Sequence, residues 1–145
     1  MKKPSRQGTR GFTIHELLLV GTLIALMAMG GVPRALLAFE TGRVDEASAG
    51  LLSVWRGQRM YWLENRSFAN QLRDLTDGSY IDEAILDASE PFTFSIAFAN
   101  DTSFTVNAAR SGGVTWSGTI SVNELGVLSG TLSNGEGDAI TPRDN

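Results

Sequence analysis

The chain contains no cysteine and only one histidine, His15. Without cysteine, no disulfide can form, and sites that need a thiolate ligand or nucleophile are excluded. Because the histidine lies at the start of an apolar stretch, no serine–histidine–aspartate arrangement is expected in the rest of the chain. No glycine-rich phosphate loop precedes a helical pattern either. We therefore predict a protein that is not an enzyme, that binds no metal ion or cofactor, and in which His15 has no catalytic role.

Positive charge is concentrated at the start of the chain. Residues 1–11 hold four basic residues and no acidic one: Lys2, Lys3, Arg6 and Arg10. The whole chain has 12 basic and 16 acidic residues, and without this basic head its net charge changes from −4 to −8. A basic head favours the cytoplasmic side of a membrane, which would place the carboxy-terminal part outside the inner membrane. The acidic remainder does not favour nucleic acid as a partner.

A run without charged residues extends from Leu17 to Pro33, between Glu16 and Arg34. As a helix it would span roughly 25 Å, and extension back to Phe12 makes it long enough to cross a bilayer. We therefore predict a transmembrane segment over residues 12–33. Pro33 should kink or locally melt the helix because it lacks a backbone N–H. A carboxylate such as Glu16 is costly within such a segment and so requires a functional reason.

Residues 1–65 resemble the processing site and amino-terminal helix of type IV pilins and type II secretion pseudopilins. The resemblance is carried by the apolar run together with Gly11, Phe12, Thr13, Glu16 and Pro33. It implies that a prepilin peptidase cleaves after Gly11 and that the new amino terminus on Phe12 is N-methylated. The chain departs from the family pattern at His15, where an aliphatic residue is usual.

The resemblance also implies that Glu16 acts in assembly, together with Thr13 and Pro33. In a staggered bundle of helices, the free amine of Phe12 in one subunit can reach the Glu16 carboxylate of its neighbour. The pair neutralises two groups that are costly to bury and sets the axial register. Because Phe12 and Glu16 are four residues apart in one helix, a contact within the subunit is the competing arrangement.

Several functions remain open at this stage. The resemblance implies a structural subunit of a type IV pilus that polymerises through its amino-terminal hydrophobic helix. The alternatives are a pseudopilin of a type II secretion system, a non-polymerising membrane-tethered binding module, and an uncleaved single-pass protein. The lack of a clear calcium loop favours a pilus over a secretion pseudopilus.

The same resemblance implies partners and a location. The expected partners are a prepilin peptidase, identical or related pilin subunits, an inner-membrane assembly platform and the membrane itself. The expected location is the bacterial inner membrane, and then either a pilus at the cell surface or a periplasmic pseudopilus.

Helical periodicity continues through residues 34–66 and predicts an amphipathic second half of the same helix, which ends near Asn65–Arg66. The residues expected on its inner face are Leu36, Leu37, Val44, Ala47, Leu51, Val54, Trp55, Gln58 and Trp62. Trp55 and Trp62 share this face, and with Tyr61 they predict a core patch beneath a sheet. Three glycines are expected to weaken this helix: Gly42, Gly50 and Gly57.

The rest of the chain reads as a small β-rich head. Residues 67–91 predict an αβ-type loop with a short helix over 81–87, and residues 92–132 predict a three- to four-stranded antiparallel meander. Its apolar face should cover the amphipathic helix, which gives an α+β fold. The first strand is expected to direct Phe92, Phe94, Ile96 and Phe98 to that face. The polar tail 133–145 is expected to be flexible, and its acids (Glu136, Asp138 and Asp144) lack the spacing of a calcium loop.

Overall fold

A computed structural model describes residues 12–86, 91–110 and 115–143, without the side chains of residues 28–34. The expected leader with Gly11, and Asp144 of the tail, therefore lie outside the described residues. The chain divides into two compact units, Met1–Ala38 and Phe39–Asn145. Helix α1 (Ile14–Asn65) begins in the first unit and ends in the second.

In the first unit, the α1 backbone is helical through residues 28–34, which include Pro33. The local melting predicted at Pro33 is therefore not observed, and the kink stays a prediction. Among the described residues, no helix is long and apolar enough to cross a membrane. Part of the predicted transmembrane segment, residues 28–33, lacks described side chains.

The second unit places the carboxy-terminal half of α1 on an antiparallel sheet, which confirms the predicted α+β class. After α1 come α2 (Leu72–Asp77) and a 3₁₀ turn (Glu83–Ile85), which is shorter than the helix predicted there. The strands are β1 (Phe92–Ala99), β2 (Phe104–Arg110), β3 (Trp116–Asn123), β4 (Leu128–Asn134) and β5 (Ala139–Ile140). Each strand pairs antiparallel with the next, in the order β1-β2-β3-β4-β5.

The sheet has five strands in the described chain rather than the predicted three or four. Strand β5 lies in the polar tail, where flexibility was expected, and pairs with β4 through Leu132 and Ile140. Two local features hold it there. The Asn134 side chain accepts hydrogen bonds from the backbone of Glu136 and Asp138, which closes the turn, and Ile140 is buried in the core.

The inner face of β1 differs from the strict alternation in the sequence. Its pairing register with β2 shifts between Ile96 and Phe98, where a β-bulge accommodates an extra residue. Beyond the bulge, the side chains change face, so Ala99 packs against the core and Phe98 is 53% exposed. The prediction that Phe98 points inward is therefore wrong, because a bulge reverses the alternation that follows it.

Two glycines allow β3 and β4 to pair closely. Gly118 and Gly130 have φ angles of +143° and +109°, which residues with a side chain rarely adopt. A Cβ atom at either position would overlap a backbone carbonyl oxygen of the neighbouring strand, that of Thr131 or Thr119.

The core lies between α1 and the sheet. Five of the residues predicted on the inner face of α1 are buried there: Val44, Ala47, Leu51, Val54 and Gln58. Leu36 and Leu37, predicted on the same face, are instead largely exposed.

Two of the glycines expected to weaken α1 mark places of close packing. A Cβ atom at Gly50 would lie 2.7 Å from the ring of Phe94, and one at Gly57 would overlap the side chain of Ile81. The helix thus gives up some intrinsic stability where β1 and the loop after α2 approach it. No such contact exists at Gly42.

Candidate functional site

The first turn of α1 is built by Thr13 and Glu16. The helix begins at Ile14, so Thr13 occupies the N-cap position and Glu16 lies three residues later. The Thr13 hydroxyl accepts the backbone N–H of Glu16 at 3.3 Å, and Glu16 Oε2 accepts the backbone N–H of Thr13 at 3.1 Å. This reciprocal pair is a capping box, which satisfies two backbone donors that have no partner within the helix.

Glu16 therefore has a partner within its own chain, Thr13. The Thr13 hydroxyl also donates to Oε2 at 3.1 Å, so both hydrogen bonds to the carboxylate use the same oxygen. Within the described residues, no hydrogen bond is made by the second oxygen, Oε1. The signal for this cap, a threonine followed by glutamate at the third position and then by an apolar run, is present in the sequence, although no cap was predicted there.

The apolar side chains that follow this cap are exposed. Phe12 and Ile14 are each 78% exposed, and most of the next large apolar residues are more than half exposed: Leu17, Leu18, Leu19, Leu23, Ile24, Leu26 and Met27. Single exposed apolar residues are common on proteins, but a long contiguous group of them marks a surface that contacts another molecule or a lipid phase. His15 is exposed among them.

A second group of charged residues lies where α1 meets the end of β2. Glu40 is 8% exposed, and its Oε1 accepts hydrogen bonds from Arg43 at 2.8 Å and from Arg110 at 3.1 Å. The Arg110 side chain is only 5% exposed and also lies over the ring of Phe92, at 5.8 Å. Glu40 belongs to the buried face of α1, four residues before Val44, but it was not predicted there.

The predicted aromatic patch on α1 is partly buried and is anchored by polar contacts. Trp55 donates its indole N–H to the backbone oxygen of Glu124 at 3.0 Å, and Trp62 donates to that of Asp101 at 2.9 Å. These acceptors lie in the β3–β4 and β1–β2 loops, which are at the same end of the meander. Trp55 and Trp62 therefore hold two loops of the sheet against the helix.

No metal site is visible in the part of the chain that the structure describes, where no three histidine or acidic side chains converge. In the tail, the Asp138 carboxylate accepts a hydrogen bond from the Asn134 side chain at 2.9 Å and so belongs to the β4–β5 turn. Asp144 lies outside the described residues.

Comparison with known proteins finds one similar to this chain. No family model matches the sequence. The chain is similar to the type IV wide pilus major component PilA4 of Thermus thermophilus, with 29% identity over 110 residues that cover 76% of this chain and 80% of that protein. This relative confirms the resemblance to type IV pilins found in the amino-terminal segment, and it indicates a structural protein rather than an enzyme.

The structure brings together some of the predicted site residues. Thr13 and Glu16 form one hydrogen-bonded unit, and Phe12 directly precedes it. Pro33 lies in the same helix without a described side chain, and Gly11 lies outside the described residues. Cleavage after Gly11 and methylation of Phe12 therefore stay predictions.

Proposed function

We propose that this chain is a structural subunit of a type IV pilus and that it polymerises through the amino-terminal part of α1. The proposal is carried by the long exposed apolar surface of residues 12–27, which follows the capped helix start. Its similarity to a major component of a type IV pilus supports a pilus rather than a secretion pseudopilus. In a filament, copies of this surface would cover one another and remove their apolar area from water or lipid.

Glu16 would then have two roles that use different oxygens. Within the chain, Oε2 takes part in the capping box with Thr13. After cleavage behind Gly11, the Phe12 amine of a neighbouring copy would donate to Oε1. A positive amine next to a helix amino terminus is unfavourable because the helix dipole is positive there. A carboxylate in the same turn compensates for that charge. Pairing of the Phe12 amine with Glu16 would therefore neutralise the amine as well as set the axial register of the subunits.

The remaining steps follow from the leader and the family. A prepilin peptidase would remove residues 1–11, and the new amino terminus on Phe12 would be methylated. Before assembly, residues 12–33 would hold the subunit in the inner membrane with its head outside the cytoplasm, in contact with an assembly platform. Copies would then pass into a filament at the cell surface.

The first test identifies the chain in filaments. Cells that express the chain are sheared, and the released filaments are analysed by electron microscopy and mass spectrometry. We expect fibres that contain a polypeptide beginning with N-methylated Phe12. A chain that is absent from the sheared fraction, or that retains residues 1–11, would overturn the proposal.

The second test separates the two roles of Glu16. Glu16→Gln keeps an oxygen that can cap the helix but removes the charge, whereas Thr13→Val removes the capping hydroxyl and keeps the charge. We expect Glu16→Gln to reduce sheared filaments at least about tenfold with normal membrane insertion, since loss of one partner from a buried pair costs more than the 1.4 kcal/mol that this factor represents. Thr13→Val should reduce them less. If Glu16→Gln assembled normally and Thr13→Val did not, Glu16 would serve only as a helix cap.

A further inference from the structure

Two tryptophan–arginine pairs repeat along α1 at an interval of seven residues. The guanidinium carbon of Arg59 lies 5.7 Å from the ring centroid of Trp55, and that of Arg66 lies 5.3 Å from the ring centroid of Trp62. Both distances fall within the range of cation–π contacts. Because each indole is also hydrogen-bonded to a loop of the sheet, the rings provide fixed supports for the two cations.

The end of the helix contributes to this arrangement. Arg66 is the first residue after α1 and has a φ angle of +58°, a left-handed conformation that is costly for arginine. Its backbone N–H donates to the carbonyl of Trp62 at 2.8 Å, which closes the last turn. The same reversal of the chain brings the Arg66 side chain back over Trp62.

A groove of about 410 Å³ lies beside these pairs. It is bordered by the apolar side chains of Trp62, Leu63 and Phe68, and by Arg59, Asp101 and Thr102. Neither Arg59 nor Arg66 forms an ion pair among the described residues, so the two cations outnumber the single carboxylate of Asp101 at this edge. We call this surface the Trp–Arg groove; it suits a segment that combines an apolar side chain with carboxylates.

Such a segment exists on the same chain, directly after α2. Asp82 and Glu83 are exposed at the 3₁₀ turn, and Leu86, which follows it, is 43% exposed. Neither acid forms an ion pair within the described chain. The Asp82 side chain caps the turn by accepting the backbone N–H of Ala84 at 2.9 Å, so the turn presents its acids from a defined backbone.

No residue of the acidic turn borders the Trp–Arg groove of its own copy. Ala84 and Ile85 of the turn border a separate small hollow together with Ala47 and Gly50 of α1. A contact between one copy's groove and another copy's turn is therefore heterologous, which leads to an open helical array rather than to a closed dimer.

We propose that the Trp–Arg groove of one subunit receives the acidic turn, residues 82–86, of a second copy of this chain. This inference rests on the proposed assembly into a filament and names a contact between heads within it. Complementary charge favours a second copy as the partner, because its turn carries two carboxylates without ion pairs in the described chain, Asp82 and Glu83, that match the two cations beside the groove.

The test is a charge exchange in the full-length chain, scored by the amount of subunit in sheared filaments. R59E/R66E reverses the cations. D82N/E83K removes or reverses the acids, and asparagine can still cap the turn at position 82. We expect each double variant to reduce filaments about fivefold, which corresponds to the roughly 1 kcal/mol available from exposed ion pairs. The chain that carries all four substitutions should return to within about twofold of wild type, because the charges match again.

A matched control uses two exposed arginines outside the groove. R56E/R143E introduces the same change in net charge and should leave the filaments unchanged. Tryptophan emission of each variant in detergent reports whether Trp55 and Trp62 stay packed, so that misfolding is not mistaken for lost contact.

Three results would overturn the inference: normal assembly of R59E/R66E, no recovery in the fourfold variant, or an equal loss in the R56E/R143E control. If R59E/R66E assembled normally but lost heparin or DNA binding that the wild-type filaments show, the groove would be assigned to a polyanion. If the wild-type chain formed no filaments, the proposed function would fail as well. Filaments in the wild type and in R59E/R66E alike would remove only this contact.

Discussion

The two units of the chain differ in how far their leucine side chains are exposed. Leu23 and Leu26 in the first unit are 54% and 70% exposed, whereas Leu51 and Leu75 in the second unit are fully buried. Leu23 and Leu51 even belong to the same helix, α1. The difference therefore lies in what covers the helix and not in its residue types: a sheet covers the later part, and nothing in the described chain covers residues 12–27.

This difference shows that one helix carries two kinds of apolar surface. The later surface is completed by strands β1–β5 of its own chain and gives the head a core. The earlier surface is left for another partner, which in the proposed filament is a further copy. Stability of the head and capacity for assembly should therefore respond to different substitutions.

The largest expected effect comes from a matched pair of leucines in α1. Leu51→Ala should lower the free energy of unfolding of the head by about 3–5 kcal/mol, because it leaves a cavity in a closed core. Leu23→Ala should change it by less than about 0.5 kcal/mol, as exposed positions do. Chemical denaturation of the full-length chain in detergent measures both values through tryptophan fluorescence, since all three tryptophans lie in the second unit.

Filament yield should depend on the first unit of the chain even where head stability does not. Leu23→Ala should reduce sheared filaments while the head keeps its unfolding curve. A clear loss of head stability in Leu23→Ala would show that residues 12–27 are part of the head's own core, and the contrast between the two units would no longer hold.

The sheet was predictable from the sequence because its signal is local. Alternation of apolar and polar residues identified β2 and β3, and the inward residues Phe104, Val106, Ile120 and Val122 are fully buried. The bulge in β1 has no such signal, since it depends on how Ile96 and Phe98 pair with a neighbouring strand. Strand β5 has only two residues, too few for a period to appear.

The candidate site shows the same division between local and distant information. The capping box of Thr13 and Glu16 spans four consecutive residues and could have been predicted from the sequence. The buried pair of Glu40 and Arg110 joins residues 70 positions apart, so only its first half was visible, as an acid on the apolar face of a helix. The family resemblance gave a functional reason for Glu16. Composition and periodicity alone could not have given that reason.

Removal of one member of the buried pair Glu40–Arg110 should have the next largest effect on the free energy of unfolding of the head. Glu40→Ala leaves the Arg110 guanidinium buried without its carboxylate, and we expect a loss of about 3 kcal/mol, at the low end for such pairs, because Arg110 keeps its contact with Phe92. The pair itself is incompletely satisfied: Glu40 Oε2 and Arg110 Nε and Nη1 are buried without hydrogen-bond partners. The double variant E40M/R110M should therefore recover to within about 1 kcal/mol of wild type. A double variant as unstable as Glu40→Ala would contradict this account.

A smaller effect is expected at Gln58, which is fully buried and ties α1 to the loop after it. Its side chain accepts the backbone N–H of Ala69 at 2.8 Å and donates to the Ala69 carbonyl at 2.9 Å. Gln58→Leu conserves volume but leaves both backbone groups without partners, and we expect a cost of about 2 kcal/mol in denaturation experiments. Hydrogen exchange at the Ala69 amide should accelerate more than exchange in β2. Unchanged protection of that amide would show that another group satisfies it.

The smallest effect concerns pH and should be confined to the head. The Tyr80 hydroxyl donates a hydrogen bond to the Glu64 carboxylate, which raises the pKa of Tyr80 above its usual value of 10.0, with burial and the charge of Glu64 acting in the same direction. A phenol that keeps its proton more firmly in the folded state contributes stability that is fully present below pH 10 and is lost as the pH rises through the folded pKa. Stability above pH 10 should therefore fall more steeply in the wild type than in Glu64→Gln, which lacks the charge and still accepts the hydrogen bond. Spectroscopic titration of tyrosinate absorbance at alkaline pH measures the shift directly, and identical titration curves for the two proteins would assign no role to the Glu64 charge.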